Sequence, residues 1–211
     1  MITLKRKIEI EAIFLIVIAV IVGIIFAVYR NNYRQQFNVS LKTPLMPAVK
    51  TTLAKVTVSS QISPDGTKEV FMKITQNPDN TKTYNFSVVD VGSSDETPIF
   101  TRTLDLSKTM LIPFNTWSPD DQYFFVEQNM GNNNGVFAFK ANGSPFTNGS
   151  NYIDVTDLFS KVNSGNNFGE ATGWASGTLI IINTTQQDNT KGPSYWLEVP
   201  SRSVIQLSTQ F

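Results

Sequence analysis

The sequence predicts an all-β, propeller-like domain of three four-stranded antiparallel blade repeats, preceded by one N-terminal transmembrane α-helix. Three observations carry that expectation. A polar turn feeding an apolar strand occurs twice in full and once in reduced form. Each copy is followed by a polar loop and a second apolar strand, several of these strands alternating with the period of a half-buried sheet. One unbroken apolar run lies near the start of the chain.

The apolar run is Ala12 to Val28, 17 successive apolar or small residues. As a helix it covers roughly 25 Å, close to the ~30 Å of a bilayer's hydrocarbon core. Tyr29 adds an interfacial aromatic. The run is longer than a signal-peptide core, and Ile25 to Tyr29 offers no small-x-small cleavage site. Residues 1–11 are therefore expected in the cytoplasm and residues 12–29 in the lipid bilayer, the chain's first expected partner. Residues 30–50 read as a tether, with Pro44 and Pro47 blocking a regular helix. Lys5, Arg6 and Lys7 precede the span, and Arg30 and Arg34 follow it. That bias places the N-terminus in the cytoplasm and the C-terminal domain outside the cell membrane.

Residues 51–211 hold the repeats, at about 53–106, 107–159 and 168–208. The turns are Ser63-Pro64-Asp65-Gly66, Trp117-Ser118-Pro119-Asp120-Asp121 and Gly173-Trp174-Ala175-Ser176-Gly177. Ser118 follows Ser63 by 55 residues, and Trp174 follows Trp117 by 57, a spacing typical of repeat arrays. Pro presets φ for the first corner, Asp bonds its own backbone, and Gly accepts positive φ. Asp121 replaces that glycine in the second copy, and the third has lost both Pro and Asp. Strands are expected at Ala54–Val58, Met110–Phe114 and Phe168–Thr172 before the turns. After them come Val70–Thr75, Tyr123–Gln128 and Leu179–Asn183. The returning strands are Tyr84–Val88, Val136–Phe139 and Tyr195–Val199, and the last of each set are Ile99–Leu104, Tyr152–Thr156 and Ser203–Leu207. Asp157 to Ser160 reads as a short helical turn.

The Trp-Ser-Pro-Asp turn, its apolar strand and the Tyr/Phe-rich partner strand resemble the TolB-type, WD-repeat-like β-propeller blade. The likeness covers roughly residues 53–208. It implies a blade fold and a binding or scaffolding role on a single-pass bacterial envelope protein, and it carries no catalytic residues. Closed propellers normally have ~4–8 blades. Three repeats therefore form an open arc, gain a further blade from residues 37–60, or assemble from several copies.

Lys+Arg and Asp+Glu are both 17, so the net charge is zero. Without a basic surplus, nucleic acid is not an expected partner. The chain has no Cys and no His. That excludes thiol chemistry, a Ser-His-Asp triad and His-ligated zinc. No cofactor or metal motif is present. Asp79-Asn80-Thr81 and Asp188-Asn189 supply oxygens but lack the spaced acidic ligands of a calcium loop.

The expected role is therefore non-catalytic: a membrane-anchored extracytoplasmic binding or scaffold protein of the cell envelope, partnered by an envelope protein or polymer. One rival is an envelope-polymer (glycan) hydrolase using carboxylates such as Asp120, Asp154, Asp157, Glu170, Asp188 or Glu198. Another is a structural subunit of a surface assembly, which would make the chain a homo-oligomer. The candidate site lies in the loops between second and third strands, which one rim should group. Its residues are Asn77, Asp79 and Asn80; Asn132, Asn133 and Asn134; and Gln187, Asp188 and Asn189. Trp196 joins them as the tryptophan expected on the opposite strand face from its neighbours. Trp117 and Trp174 hold equivalent repeat positions and read as packing between blades.

Overall fold

The structure, a computed structural model, describes residues 55–131, 134–163 and 165–207. The expected membrane helix and tether lie outside the described residues. Among those described, no helix is long and apolar enough to cross a membrane.

Among the described residues, twelve strands form three four-stranded sheets. The first holds β1 (Val56–Ile62), β2 (Lys68–Gln76), β3 (Thr81–Asp90) and β4 (Glu96–Asp105). The second holds β5 (Thr109–Leu111), β6 (Tyr123–Asn129), β7 (Asn134–Lys140) and β8 (Ile153–Asp154). The third holds β9 (Asn167–Trp174), β10 (Leu179–Thr185), β11 (Tyr195–Glu198) and β12 (Ser203–Gln206). In each, the strands lie in chain order with antiparallel neighbours. Short connections make such meanders the natural product of strands that alternate with turns.

Two local readings differ from expectation. Pro113, which has no N–H to give a ladder, stands just beyond β5, and that strand stops at Leu111. The strand expected at Tyr152–Thr156 is cut to two residues because a helix, α1 (Val155–Val162), begins there. Val155, Leu158, Phe159 and Val162 have helical spacing, and Asp154 caps the helix by accepting the Asp157 N–H at 2.9 Å.

Side-chain alternation gives every sheet two faces. The forward face of the first sheet (Val70, Met72, Tyr84, Phe86, Val88) packs on the rear face of the second. That rear face holds Phe124, Val126, Phe137 and Phe139, joined by Met110 and Trp117. The second sheet's forward face carries Phe125, Val136 and Ala138. With Val155 and Phe159 of α1, it covers Ile180, Ile182, Tyr195 and Leu197 of the third. Phe124, Phe125, Phe139 and Phe159 are completely buried. Each such side chain contributes about 1.5–3 kcal/mol of transfer free energy. The three sheets thus form a stack with two apolar seams.

Candidate functional site

The seams are pinned at the turn ends by a bond that repeats. Trp117 Nε1 donates to the Gln61 carbonyl of the preceding sheet at 2.9 Å. Trp174 Nε1 donates to the Thr116 carbonyl at 3.0 Å. Gln61 and Thr116 each stand two residues before their own turn serine, Ser63 and Ser118. The same bond is therefore made at both seams. Ile62 occupies the corresponding place in the first repeat, and it is 53% exposed. The two indoles otherwise differ. Trp117 is buried beside Phe124 of its own sheet, at 5.3 Å between centroids. Trp174 is half-buried against Tyr123 and Phe125 of the second sheet.

The first two turns share the hydrogen bonds of their serines. Ser63 Oγ donates to Asp65 Oδ1 at 2.9 Å and accepts the Lys68 N–H at 3.0 Å. Ser118 Oγ donates to Asp120 Oδ1 at 2.7 Å and accepts the Tyr123 N–H at 3.0 Å. Gly66 has φ +75° and Asp121, in its place, φ +56°. The third turn is one residue shorter: the Ala175 N–H reaches the Leu179 carbonyl, whereas the Ser63 N–H reaches Lys68.

Asp121 brings a carboxyl into the first seam, facing Asp65. Burial, and then the Asp65 carboxyl, push it up to about 6, with Lys68 pulling the other way. Asp65 is held below the usual carboxylate range by the Thr67 N–H and by the proton of Asp121. In the second seam no such pair forms. There Gly177 lies against Asp120, and an added Cβ would come within 2.4 Å of Asp120 Oδ2. Glu127 is nevertheless raised by burial and by Glu170.

Alongside the tryptophans runs a groove of about 610 Å³ that touches all three repeats. Gln61, Ile62 and Pro64 line it from the first repeat, Phe114, Asn115, Trp117 and Pro119 from the second, and Thr172, Gly173, Trp174 and Ile181 from the third. Phe114 is 84% exposed. Asn115 Nδ2 ties the wall together by donating to the Thr172 carbonyl at 3.1 Å. Gly173, at φ +145°, passes so close that a Cβ would meet that of Asn115 at 3.2 Å. The groove has an apolar floor with a few amide and hydroxyl groups on its rim, the usual make-up of a binding site.

The residues singled out from sequence lie elsewhere. Asn77, Asp79 and Asn80 sit on the β2–β3 connection, Asn134 at the start of β7, and Gln187, Asp188 and Asn189 on the β10–β11 connection. These loops share the end of their sheets away from the Ser-Asp turns. Asn132 and Asn133 lie outside the described residues. Two of the loops repeat a turn that the sequence reading did not align, Asp79-Asn80-Thr81 and Asp188-Asn189-Thr190. Each Asp accepts the N–H and hydroxyl of the Thr two residues on, and each Asn has positive φ. Those Thr bonds hold both carboxyls below their ordinary value. Asn77 donates to Thr81 and Thr83. These groups are engaged within their own loops. Asn134 borders a polar hollow of about 640 Å³ with Asn129, Thr156, Ser160, Asn163 and Asn167. Trp196 lies on β11 between the buried Tyr195 and Leu197, so it points to the third sheet's forward face. The side chain is half-buried, and its Nε1 is buried without a hydrogen-bond partner.

Of the carboxylates named for hydrolysis, Asp154 and Asp157 lie together at the start of α1 and line one hollow of about 250 Å³ with Lys161 and Arg202. Asp154 caps α1, Asp157 pairs with Lys161 at 2.7 Å, and Glu198 accepts the Ser201 N–H. Neither a known family model nor a curated protein matches this chain.

Proposed function

We propose that the chain is a non-catalytic binding or scaffold protein of the cell envelope, held to the membrane through residues 12–29 with its β domain outside. On this reading the three sheets are blades of a TolB-like, propeller-like arc. The Trp-lined groove on the turn side is where a partner docks. The observation that carries the reading is that groove: a largely apolar hollow to which all three repeats contribute, with Ile62, Trp117 and Trp174 at equivalent positions and the exposed Phe114 in its lining. A large exposed aromatic beside a preformed hollow is the make-up of a protein-interaction anchor. The chemistry favours an extended polypeptide segment with aliphatic or aromatic side chains. The indole N–H groups of Trp117 and Trp174 are already spent on backbone carbonyls.

The test is a photo-crosslinking amino acid at Phe114 in the full chain, expressed in the cells that make it, with Thr101 as the control position. A discrete protein adduct from position 114 and none from 101 supports the reading. The same adducts from both positions, or none from either, would overturn it. The hydrolase reading has one observation on its side, the Asp65–Asp121 pair, two facing carboxyls that are shifted in opposite directions. Asp121→Asn assayed on envelope glycan separates the two. Cleavage by the parent chain that this variant loses favours hydrolysis.

A further inference from the structure

Among the described residues, helix α1 has no counterpart in the other two repeats. It walls one side of the polar hollow beside Asn134. Thr156, Ser160 and Asn163 line that hollow at helical spacing, while Val155 and Phe159 are buried against the third sheet. Thr156 fixes the wall in place. Its Oγ1 accepts the Val136 N–H at 3.0 Å and donates to the Asn134 carbonyl at 3.3 Å. The turn end of β6 with the start of β7 makes a second wall, and the start of β9 makes a third.

Every residue lining the hollow is uncharged, and five of the eleven are asparagine. A carboxamide both donates and accepts hydrogen bonds while carrying no charge. Three of these amides are held at one end only. Asn129 Oδ1 accepts the Gly131 N–H at 2.8 Å, and Asn163 Oδ1 accepts the Gly165 N–H at 3.1 Å and the Asn166 N–H at 3.3 Å. The fold therefore orients their Nδ2 donors without using them. Asn166 is held the other way, its Nδ2 donating to the Tyr195 hydroxyl at 3.0 Å, which leaves its Oδ1 as an acceptor. Ser160 gives its proton to the Thr156 carbonyl at 2.8 Å and keeps its lone pairs. On the matching connections of the other sheets such groups are consumed, Asp79 and Asp188 by their own threonines and Asn77 by Thr81 and Thr83. Phe168 adds a partly buried ring, seated on Phe159 at 5.9 Å between centroids.

We infer that this hollow binds a neutral glycan, the asparagine amides meeting sugar hydroxyls and Phe168 the apolar C–H face of a ring. A sugar hydroxyl also donates and accepts without charge, so it matches the leftover donors and the leftover acceptors together. Other ligand classes lack that match. Phosphates call for cations and a metal ion for anionic oxygens, and no lining residue supplies either. A protein partner rests on apolar anchors, and Met130 and Phe168 are the only large apolar residues in the lining. The hollow is separate from the Trp-lined groove: β9 carries Phe168 at one end and Trp174 at the other.

The test is saturation-transfer NMR on the full chain in a detergent that carries no sugar. The probes are cellotetraose, maltotetraose and tetra-N-acetylchitotetraose, with tetragalacturonate as the acidic control. Transfer is expected to at least one neutral probe and not to tetragalacturonate. Asn129→Asp and Asn163→Asp each keep the Oδ1 that fixes the turn and replace the Nδ2 donor by an oxygen. Each is expected to weaken binding of that probe about tenfold. Phe114→Ala, in the groove, is expected to leave it unchanged, and circular dichroism checks that every variant keeps the fold. The inference is overturned by silence from all three neutral probes, by equal transfer to tetragalacturonate, or by Asn129→Asp and Asn163→Asp chains that bind as well as the parent. A loss in Phe114→Ala equal to theirs would also overturn it, by moving the sugar to the groove.

Discussion

The two seams of the stack are made from the same repeat, yet they are held differently. Both carry an indole bonded to the carbonyl two residues before the preceding turn serine. The first adds a buried tryptophan and a carboxyl pair; the second has a half-buried tryptophan and a glycine. The repeated element sets where sheets touch, and the varied residues set how firmly and at what pH.

The widest difference is expected at the tryptophans. Trp117 is 5% exposed, so Trp117→Ala removes core as well as a hydrogen bond. It should cost about 3–5 kcal/mol in urea unfolding. Trp174→Ala loses an equivalent bond but less buried surface, and about half that cost is expected. Equal losses would mean that the hydrogen bond, not burial, holds the seams.

Next comes Asp121. Its folded pKa is raised above the unfolded carboxylate's, so its contribution is full below ~4 and is lost as pH rises through about 6. Asp65 is shifted the other way, and its contribution fails only in strong acid. Between ~4 and 6 the pair shares one proton, and above that range two carboxylates face each other with Lys68 as the nearby cation. Asp121→Gly restores the residue that the first turn has at this position and suits φ +56°. It should stabilise the protein by on the order of 1–3 kcal/mol at pH 8 and by little or nothing at about pH 3.5, below the unfolded carboxylate's range. Paired urea titrations at the two pH values decide it. An unchanged pH slope would show that Asp121 is not the group responsible.

Much of this architecture was legible in the chain. Ser63-Pro64-Asp65-Gly66 and its copies locate the turns, and alternation through Tyr84, Phe86 and Val88 locates strands and faces. Helix α1 was missed beyond one turn because Tyr152 to Thr156 also alternates, and only the Asp154 cap settles the choice. Asp79 and Asp188 lie on the connections between second and third strands, and each satisfies its own turn. The groove went unseen. Phe114 belongs to no motif, and Asn115, Thr172 and Gly173 meet only when the second seam closes. The Asp65–Asp121 contact is likewise tertiary.

The glycine of the second seam gives a smaller effect. Gly177→Ala puts a Cβ against Asp120, whose Oδ1 is fixed by Ser118 and the Gln122 N–H. The carboxylate must swing and break a bond, at about 1–2 kcal/mol. In an Asp120→Ala background the same substitution should be nearly neutral, and a double-mutant cycle measures the coupling.

The smallest contrast lies in the turns themselves. Ser118 is fully buried and its hydroxyl bridges Asp120 and the Tyr123 N–H. Ser118→Ala leaves both without that partner, and about 1–2 kcal/mol should be lost. Ala175 holds the corresponding place in the third turn, where Gly177 offers no carboxylate and the loop is a residue shorter. Ala175→Ser therefore places a hydroxyl with nothing to bridge, and thermal unfolding should shift by less than the error of the serine deletion. A gain from Ala175→Ser would show that the third turn retains the hydrogen-bonding geometry of the other two, and that its worn sequence hides an intact copy.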